Sequence, residues 1–164
     1  MKRLYLMRHA KPEHGDGKRD FDRELTTQGR MDAEAMAARL IELSPLPRQI
    51  FCSEAARALE TARIMAAALP QCSTPVPLAG LYTGTADDYL NLIAGTASAP
   101  AVIVVAHNPA MEQLAAFFEN SNTGMSAGDI VWFDFPIDQW ESLNAGLRPL
   151  SGGRLHRDSA RKAK

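Results

Sequence analysis

The segment "AVIVVA" (Ala101–Ala106) constrains the fold of this chain more than any other stretch. Six consecutive apolar residues, four of them β-branched, offer no polar side to water, so as a strand they have to be covered on both faces. Such a strand is typical of a sheet whose parallel neighbours are joined by crossover helices. The flanking sequence agrees. "RLYLM" (Arg3–Met7), "QIFC" (Gln49–Cys52) and "DIVWFDF" (Asp129–Phe135) read as further strands. Between them run helical patterns. One begins after Thr27, repeats Met31, Met36, Leu40 and Leu43, and ends at "SPLP" (Ser44–Pro47). A second runs from Glu54 to about Leu69 with Ser53 as its expected N-cap. A third is opened by Thr85 and Asp88 and stops near Gly95, and a fourth follows Asn108 as N-cap with Pro109 at its first position. The expected architecture is a single-domain three-layer α/β/α sandwich with a mostly parallel central sheet.

In 164 residues, 46% of them hydrophobic, no repeat or long Pro/Gly/Ser linker separates two domains. The expected domain covers residues 1–145, and residues 146–164, which end in "RLHRDSARKAK" without apolar periodicity, read as a basic, mobile tail. The polar stretch from Lys11 to Leu25, with Gly15 and Gly17, reads as a surface loop.

The net charge of −1 is unevenly spread: residues 1–63 carry 12 basic and 10 acidic side chains, residues 64–147 none and 8, residues 148–164 six and one. Overall the chain offers no polycationic surface for nucleic acid or anionic lipid, so neither is an expected partner. An anionic ligand bound through arginine or lysine has to find those groups in the first 63 residues or the tail. No window approaches a membrane span, and the start "MKRLYLMRHAKPE" has too few apolar residues for a signal-peptide core, which makes a cytoplasmic location the expectation. Cys52 and Cys72 lack metal-ligand or redox spacing and are expected to be reduced thiols.

In open α/β sheets the ligand crevice lies beyond the carboxyl ends of the strands. Three strand ends here carry chemistry: Arg8 and His9 after the first, Ser53 and then Arg57 after the second, His107 and Asn108 after "AVIVVA". Taken singly each has an ordinary reading: a surface pair, a solvated helix charge, a helix-capping or satisfied core histidine. Brought to one edge, two arginines and two histidines make a forked, cationic site for a phosphoryl group. Guanidinium forks pair with phosphate oxygens, and a neutral imidazole whose tautomer is fixed can attack phosphorus.

These segments resemble the histidine phosphatase, or phosphoglycerate mutase-like, superfamily. "LYLMRHAKPE" is similar to its RHG signature, "CSEAARALETA" to its S-x-x-x-R-A-x-x-T-A segment and "VVAHNP" to V-x-G-H-N-P. "DFDRELTTQGR" continues the likeness, and "NTGMS" resembles the T-G turn of the small SixA-type phosphohistidine phosphatases. The resemblance implies a phosphoglycerate mutase-like fold and a metal-independent, cofactor-free phosphatase. In it His9 is the nucleophile, Arg8, Arg57 and His107 (protonated) bind the phosphoryl group, and Asn108 and Ser53 bind or position substrate. Three departures stand out: Ala10 and Ala106 replace family glycines, and "PLAGLYTGTADDYL" has no glutamate where many larger members carry an acid for the leaving group. An alkoxide leaves badly without that acid, whereas a phosphoramidate nitrogen needs less help, so the implied substrate is a phosphohistidine-containing protein. The alternatives are a phosphatase of small phosphomonoesters and a non-catalytic phosphate- or phosphohistidine-binding module. A metal-dependent hydrolase using His9, His14, His107 or His156 with Asp16 or Asp20 fits poorly, because the spacings match no common ligand pattern and the arginines oppose a cation.

Overall fold

The computed structural model describes residues 1–120 and 123–157. Among these residues the strands are β1 (Lys2–Arg8), β2 (Gln49–Ser53), β3 (Val76–Leu78), β4 (Ala101–Ala106), β5 (Ile130–Phe135) and β6 (Ser151–Leu155). They form one sheet in the order β3-β2-β4-β1-β5-β6. β3, β2, β4 and β1 are mutually parallel, while β5 runs antiparallel to β1 and β6 to β5. The helices are α1 (Thr27–Leu40), α2 (Ala56–Ala68), the short α3 (Gly80–Thr83), α4 (Ala86–Thr96) and α5 (Ala110–Glu119).

β4 lies at the centre and is buried along its whole length, as its composition demands. Its side chains divide strictly by parity. Val102, Val104 and Ala106 join a core with Leu4, Leu6, Leu90, Ile93, Leu114 and Phe118. Ala101, Ile103 and Val105 join a second with Tyr5, Met7, Met36, Leu40, Ile50 and Met65. The sheet therefore separates two apolar layers, one under α1 and α2 and the other under α3, α4 and α5, giving the expected α/β/α sandwich. The Thr85–Asp88 capping box opens α4 with both of its hydrogen bonds.

Three expected helix starts shift. The N-cap of α1 is Thr26, one residue earlier than read, and its side chain accepts from the Gly29 amide. The Thr26 amide in turn donates to Lys11 O at 3.0 Å. A Cβ on Gly29 would stand 2.3 Å from that carbonyl, so only glycine lets α1 approach the loop that follows His9. Ser53 is not the N-cap of α2: Ala55 holds that place without a side-chain bond, because the Ser53 hydroxyl is directed toward His107. Likewise Pro109, not Asn108, stands at the N-cap of α5, the Asn108 amide being used to bridge Glu112 and Met125.

The expected tail also needs correction. Ser151–Leu155 form the edge strand β6, paired with β5 in the register Trp132 with Gly153, so the sheet extends past residue 145. Apolar alternation is missing there because the strand's contribution is room: a Cβ on Gly153 would meet the Trp132 indole at 2.8 Å. Arg154 fastens the strand to α5, its Nε and Nη2 donating to Glu119 at 2.8 and 2.6 Å. Arg161, Lys162 and Lys164 lie outside the described residues, as does Asn122 of the "NTGMS" segment. Both cysteines are free, and no helix among the described residues is long and apolar enough to cross a membrane.

Candidate active site

The parallel strands β2, β4 and β1 end flush, with Cys52 beside Val105 and Arg8 beside Ala106. This register delivers Ser53, His107 and the Arg8–His9 pair to one edge, and the first turn of α2 adds Arg57. Because β5 is antiparallel, the segment entering it reaches the same edge. There the Gly128 amide donates to both Arg8 O and His9 O at 3.0 Å.

His9 is 5% exposed, and its Nδ1–H donates to Ala10 O at 2.7 Å. That bond fixes the tautomer and leaves the Nε2 lone pair available. Burial pushes the His9 pKa down to about 3, against the Ala10 carbonyl and with help from His107, Arg57 and Arg8. The His107 ring lies 5.1 Å away, centroid to centroid. Burial, then Arg57, push its pKa down to about 4, with Asp20 opposing. In the free site the ring is held toward its neutral form, and a bound phosphoryl anion would favour its protonation, as Asp20 does. Its Nε2 is 2.7 Å from Ser53 Oγ, while its Nδ1 is buried without a hydrogen-bond partner.

Arg8 donates from Nη1 to Met125 O at 2.9 Å, and its Nε is another buried atom without a partner. Buried polar nitrogens without a partner cost about 1–3 kcal/mol each, which disfavours Arg8 Nε and His107 Nδ1 as they stand unless a ligand satisfies them. Arg57 is 7% exposed and donates from Nη1 to Asp20 O at 2.8 Å and from Nη2 to Asp20 Oδ2 at 3.1 Å. Asp20 belongs to a 3-10 turn, Asp20–Asp22, inside the loop after β1.

Of the two residues named from the sequence as substrate-binding or positioning groups, Ser53 faces inward, whereas Asn108 is half-buried and borders the cavity beside His107. Ser53 is fully buried, accepts from the Ala55 amide at 3.1 Å and holds His107. Asn108 donates from Nδ2 to Glu112 Oε1 and Met125 O at 2.7 and 2.9 Å, joining α5 to the segment that carries Arg8's partner. Thr61, inside the S-x-x-x-R-A-x-x-T-A segment but given no role from sequence, accepts from the Ala10 amide at 3.1 Å and donates to Arg57 O at 2.7 Å. It links the helix of Arg57 to the turn of His9. No sequence signal marked Tyr82. Its ring packs edge-on against His107 at 5.6 Å and Phe21 at 5.3 Å, and it borders a cavity of about 270 Å³ shared with Tyr89, His107, Pro109 and Gln113.

The residues of the rival metal reading do not converge. His14 and Asp16 are exposed on the loop after β1, Asp20 is on Arg57, and His156 lies 3.5 Å from Asp129. Among the described residues no group of three or more His, Cys, Asp or Glu is arranged to hold a metal.

The profile of the histidine phosphatase superfamily (branch 1) matches residues 4–81. Of the solved structures similar to this chain, one is assigned as the phosphohistidine phosphatase SixA of Agrobacterium tumefaciens. It is 30% identical, with a TM-score of 0.75, over 82% of this chain and 92% of that one. This chain belongs to the histidine phosphatase superfamily. A second structure with the same assignment, from Nakamurella multipartita, is 25% identical with a TM-score of 0.74 over 93% of this chain and 95% of that one. An uncharacterized chloroplastic protein of Arabidopsis thaliana is 27% identical over 155 residues, 88% of this chain and 71% of its own length.

Within the superfamily two of the departures noted above have a simple account. The non-glycine residues at positive φ among those described are Gln71 and Asn120, so Ala10 and Ala106 occupy backbone open to any residue, and both methyls are fully buried. The third is a difference in side chains: α3 brings Tyr82, not a glutamate, to the mouth of the site.

Proposed function

We propose that this histidine phosphatase superfamily member hydrolyses protein phosphohistidine through a phosphoryl group carried on His9. The observation that supports this best is the His9 imidazole. It is buried, held toward its neutral form and tautomer-fixed by Ala10 O, and it stands among Arg8, Arg57 and His107, two of which keep a buried nitrogen without a hydrogen-bond partner.

The His9 Nε2 lone pair forms a bond to phosphorus as the bond to the leaving nitrogen breaks, and the departing pair stays on that nitrogen, protonated from solvent. Arg8 Nε, the Arg57 guanidinium and His107 Nδ1 donate to the equatorial oxygens, so the protein's contribution is position and charge. Ser53 serves His107: if its hydroxyl donates to Nε2, the proton of the neutral ring sits on Nδ1, facing the phosphoryl oxygens. Water then attacks phosphorus, the P–Nε2 bond breaks and the pair returns to Nε2. Arg8 and Arg57 supply the charge such a transfer needs, so the reading calls for no metal ion.

The substrate preference follows from the leaving group. Without a glutamate on the segment after β3, an alcohol leaving group loses a general-acid contribution of about 10²–10⁴, whereas a phosphoramidate loses much less. The expected partner is a phosphohistidine-containing protein. A substrate panel tests this. Hydrolysis of a phosphohistidine protein at rates well above alkyl phosphates supports the proposal; equal or faster turnover of small phosphomonoesters favours the metabolite phosphatase instead. Binding across the panel without turnover makes the chain a phosphate-binding module.

A further inference from the structure

Arg57 does not meet a phosphoryl group with a free fork. Both of its terminal nitrogens already donate to Asp20, one to the main-chain oxygen at 2.8 Å and one to the carboxylate at 3.1 Å. The contact is a built one. Tyr82 Oη donates to Asp20 Oδ2 at 2.8 Å and Arg23 Nη1, at the end of the same turn, donates to Asp20 Oδ1 at 3.1 Å, so one distant and one local side chain hold the carboxylate on the arginine. Phe21 packs its ring against Tyr82 and steadies the same turn. The partners differ in burial: the Arg57 side chain is 9% exposed and the Asp20 side chain 52%. The arginine is anchored, and the acid faces water and has room to withdraw.

We propose that Asp20 is an internal competitor for the phosphoryl site, a carboxylate that shares Arg57 with the incoming anion and so weakens phosphate binding and speeds its release. This rests on the reading of Arg57 as a phosphoryl ligand. Its chemical reason is that the donors gripping a substrate's phosphoryl group grip the inorganic phosphate product as well. A fixed cluster of Arg8, Arg57 and His107 would retain product. A negative charge on one of the arginines lowers affinity for both, while leaving the donors in place for the transfer step. Tyr82, Arg57 and Arg23 hold Asp20 ionised, with its pKa pulled down to about 2, so the competition persists at every working pH. The role is one of setting affinity by position, and it assigns Asp20 no proton transfer.

Asp20→Asn removes the charge while keeping an acceptor for Arg57. The experiment titrates inorganic phosphate into the wild type and Asp20→Asn by calorimetry or ³¹P NMR, which needs no turnover. The expected result is phosphate bound about tenfold tighter by the variant, the size of one like-charge interaction at short range in a half-exposed site. KM and kcat should fall together as release slows. Tyr82→Phe, which removes one anchor of Asp20 without changing charge, should shift phosphate affinity in the same direction by a smaller factor. Unchanged or weaker phosphate binding in Asp20→Asn overturns the inference, since a carboxylate that merely braces Arg57 would loosen the site when removed. A kcat lost only for poor leaving groups, with phosphate affinity unchanged, overturns it too, in favour of proton donation. Failure of both proteins to bind phosphate would overturn the phosphoryl-site reading as well, which separates the two failures.

Discussion

The two ends of β1 each carry an arginine, and they are treated in opposite ways. At the amino end Arg3 is saturated. Its Nε and Nη2 pair with the two oxygens of Asp134, both at 2.7 Å, its Nη1 reaches Tyr5 Oη at 3.3 Å, and its guanidinium lies 4.0 Å over the Trp132 ring. Asp134 also accepts from Ser151 on β6, so the pair ties together three strands. At the carboxyl end Arg8 gives Nη1 to Met125 O and keeps a buried Nε with no partner. One arginine spends its donors on the fold, the other holds a donor back. That difference, more than charge or burial, distinguishes a site from a scaffold here.

Arg8→Ala should break the comparison on the chemical side. The expected loss in turnover is about 10²–10³-fold, typical of a donor that stabilises transition-state charge, while urea unfolding shifts by no more than about 1 kcal/mol. Arg3→Ala should do the reverse. Leaving Asp134 buried without its partner should cost about 3 kcal/mol of stability in the same urea experiment, with turnover per folded molecule unchanged. If Arg3→Ala reduces activity in folded protein, or Arg8→Ala unfolds the domain, the division between the two ends is wrong.

The histidines sharpen the same contrast through pH. Folded His9 and His107 have pKa values depressed to about 3 and 4 from an ordinary value of 6.5, so the unfolded chain takes up protons first. Their contribution is full above pH 6.5 and is lost as pH falls, down to about 4 for His107 and about 3 for His9, with a slope of up to about 1.4 kcal/mol per pH unit for each. Unfolding measured at pH 7 and pH 5 should show this loss, and His107→Gln should reduce it. The smallest effect belongs to catalysis: both imidazoles stay neutral from pH 8 to 5, so neither titrates in a kcat profile over that range unless bound substrate raises His107.

Much of this was legible because local pattern and global role coincide. An uninterrupted apolar β-branched run has to be a central strand, and a charged pair at the end of such a run falls at the sheet edge where ligands bind. Arg3 and Arg8 bracket one apolar stretch, yet only the following His9 distinguishes them in sequence, since Asp134 is 131 positions away. Ser53 and Asn108 carry good N-cap side chains, and local propensity assigned them to helix starts. Long-range partners, His107 for one and Met125 for the other, took those side chains instead. β6 was hidden because its glycines answer the bulk of Trp132, a requirement that exists only once β5 and β6 are side by side. Asp20, in the loop after β1, and Tyr82, on the short α3, meet over Arg57 and His107, and no periodicity announces that meeting.

The central claim is that His9 carries the phosphoryl group, and covalent trapping tests it most directly. The protein is mixed with a phosphohistidine protein, quenched in base within the first turnovers and mapped by mass spectrometry alongside His9→Ala. The account predicts a base-stable, acid-labile phosphate on His9 Nε2 in the wild type, and no label and no turnover in the variant. Turnover that survives in His9→Ala, or a phosphate found on another residue, would contradict it.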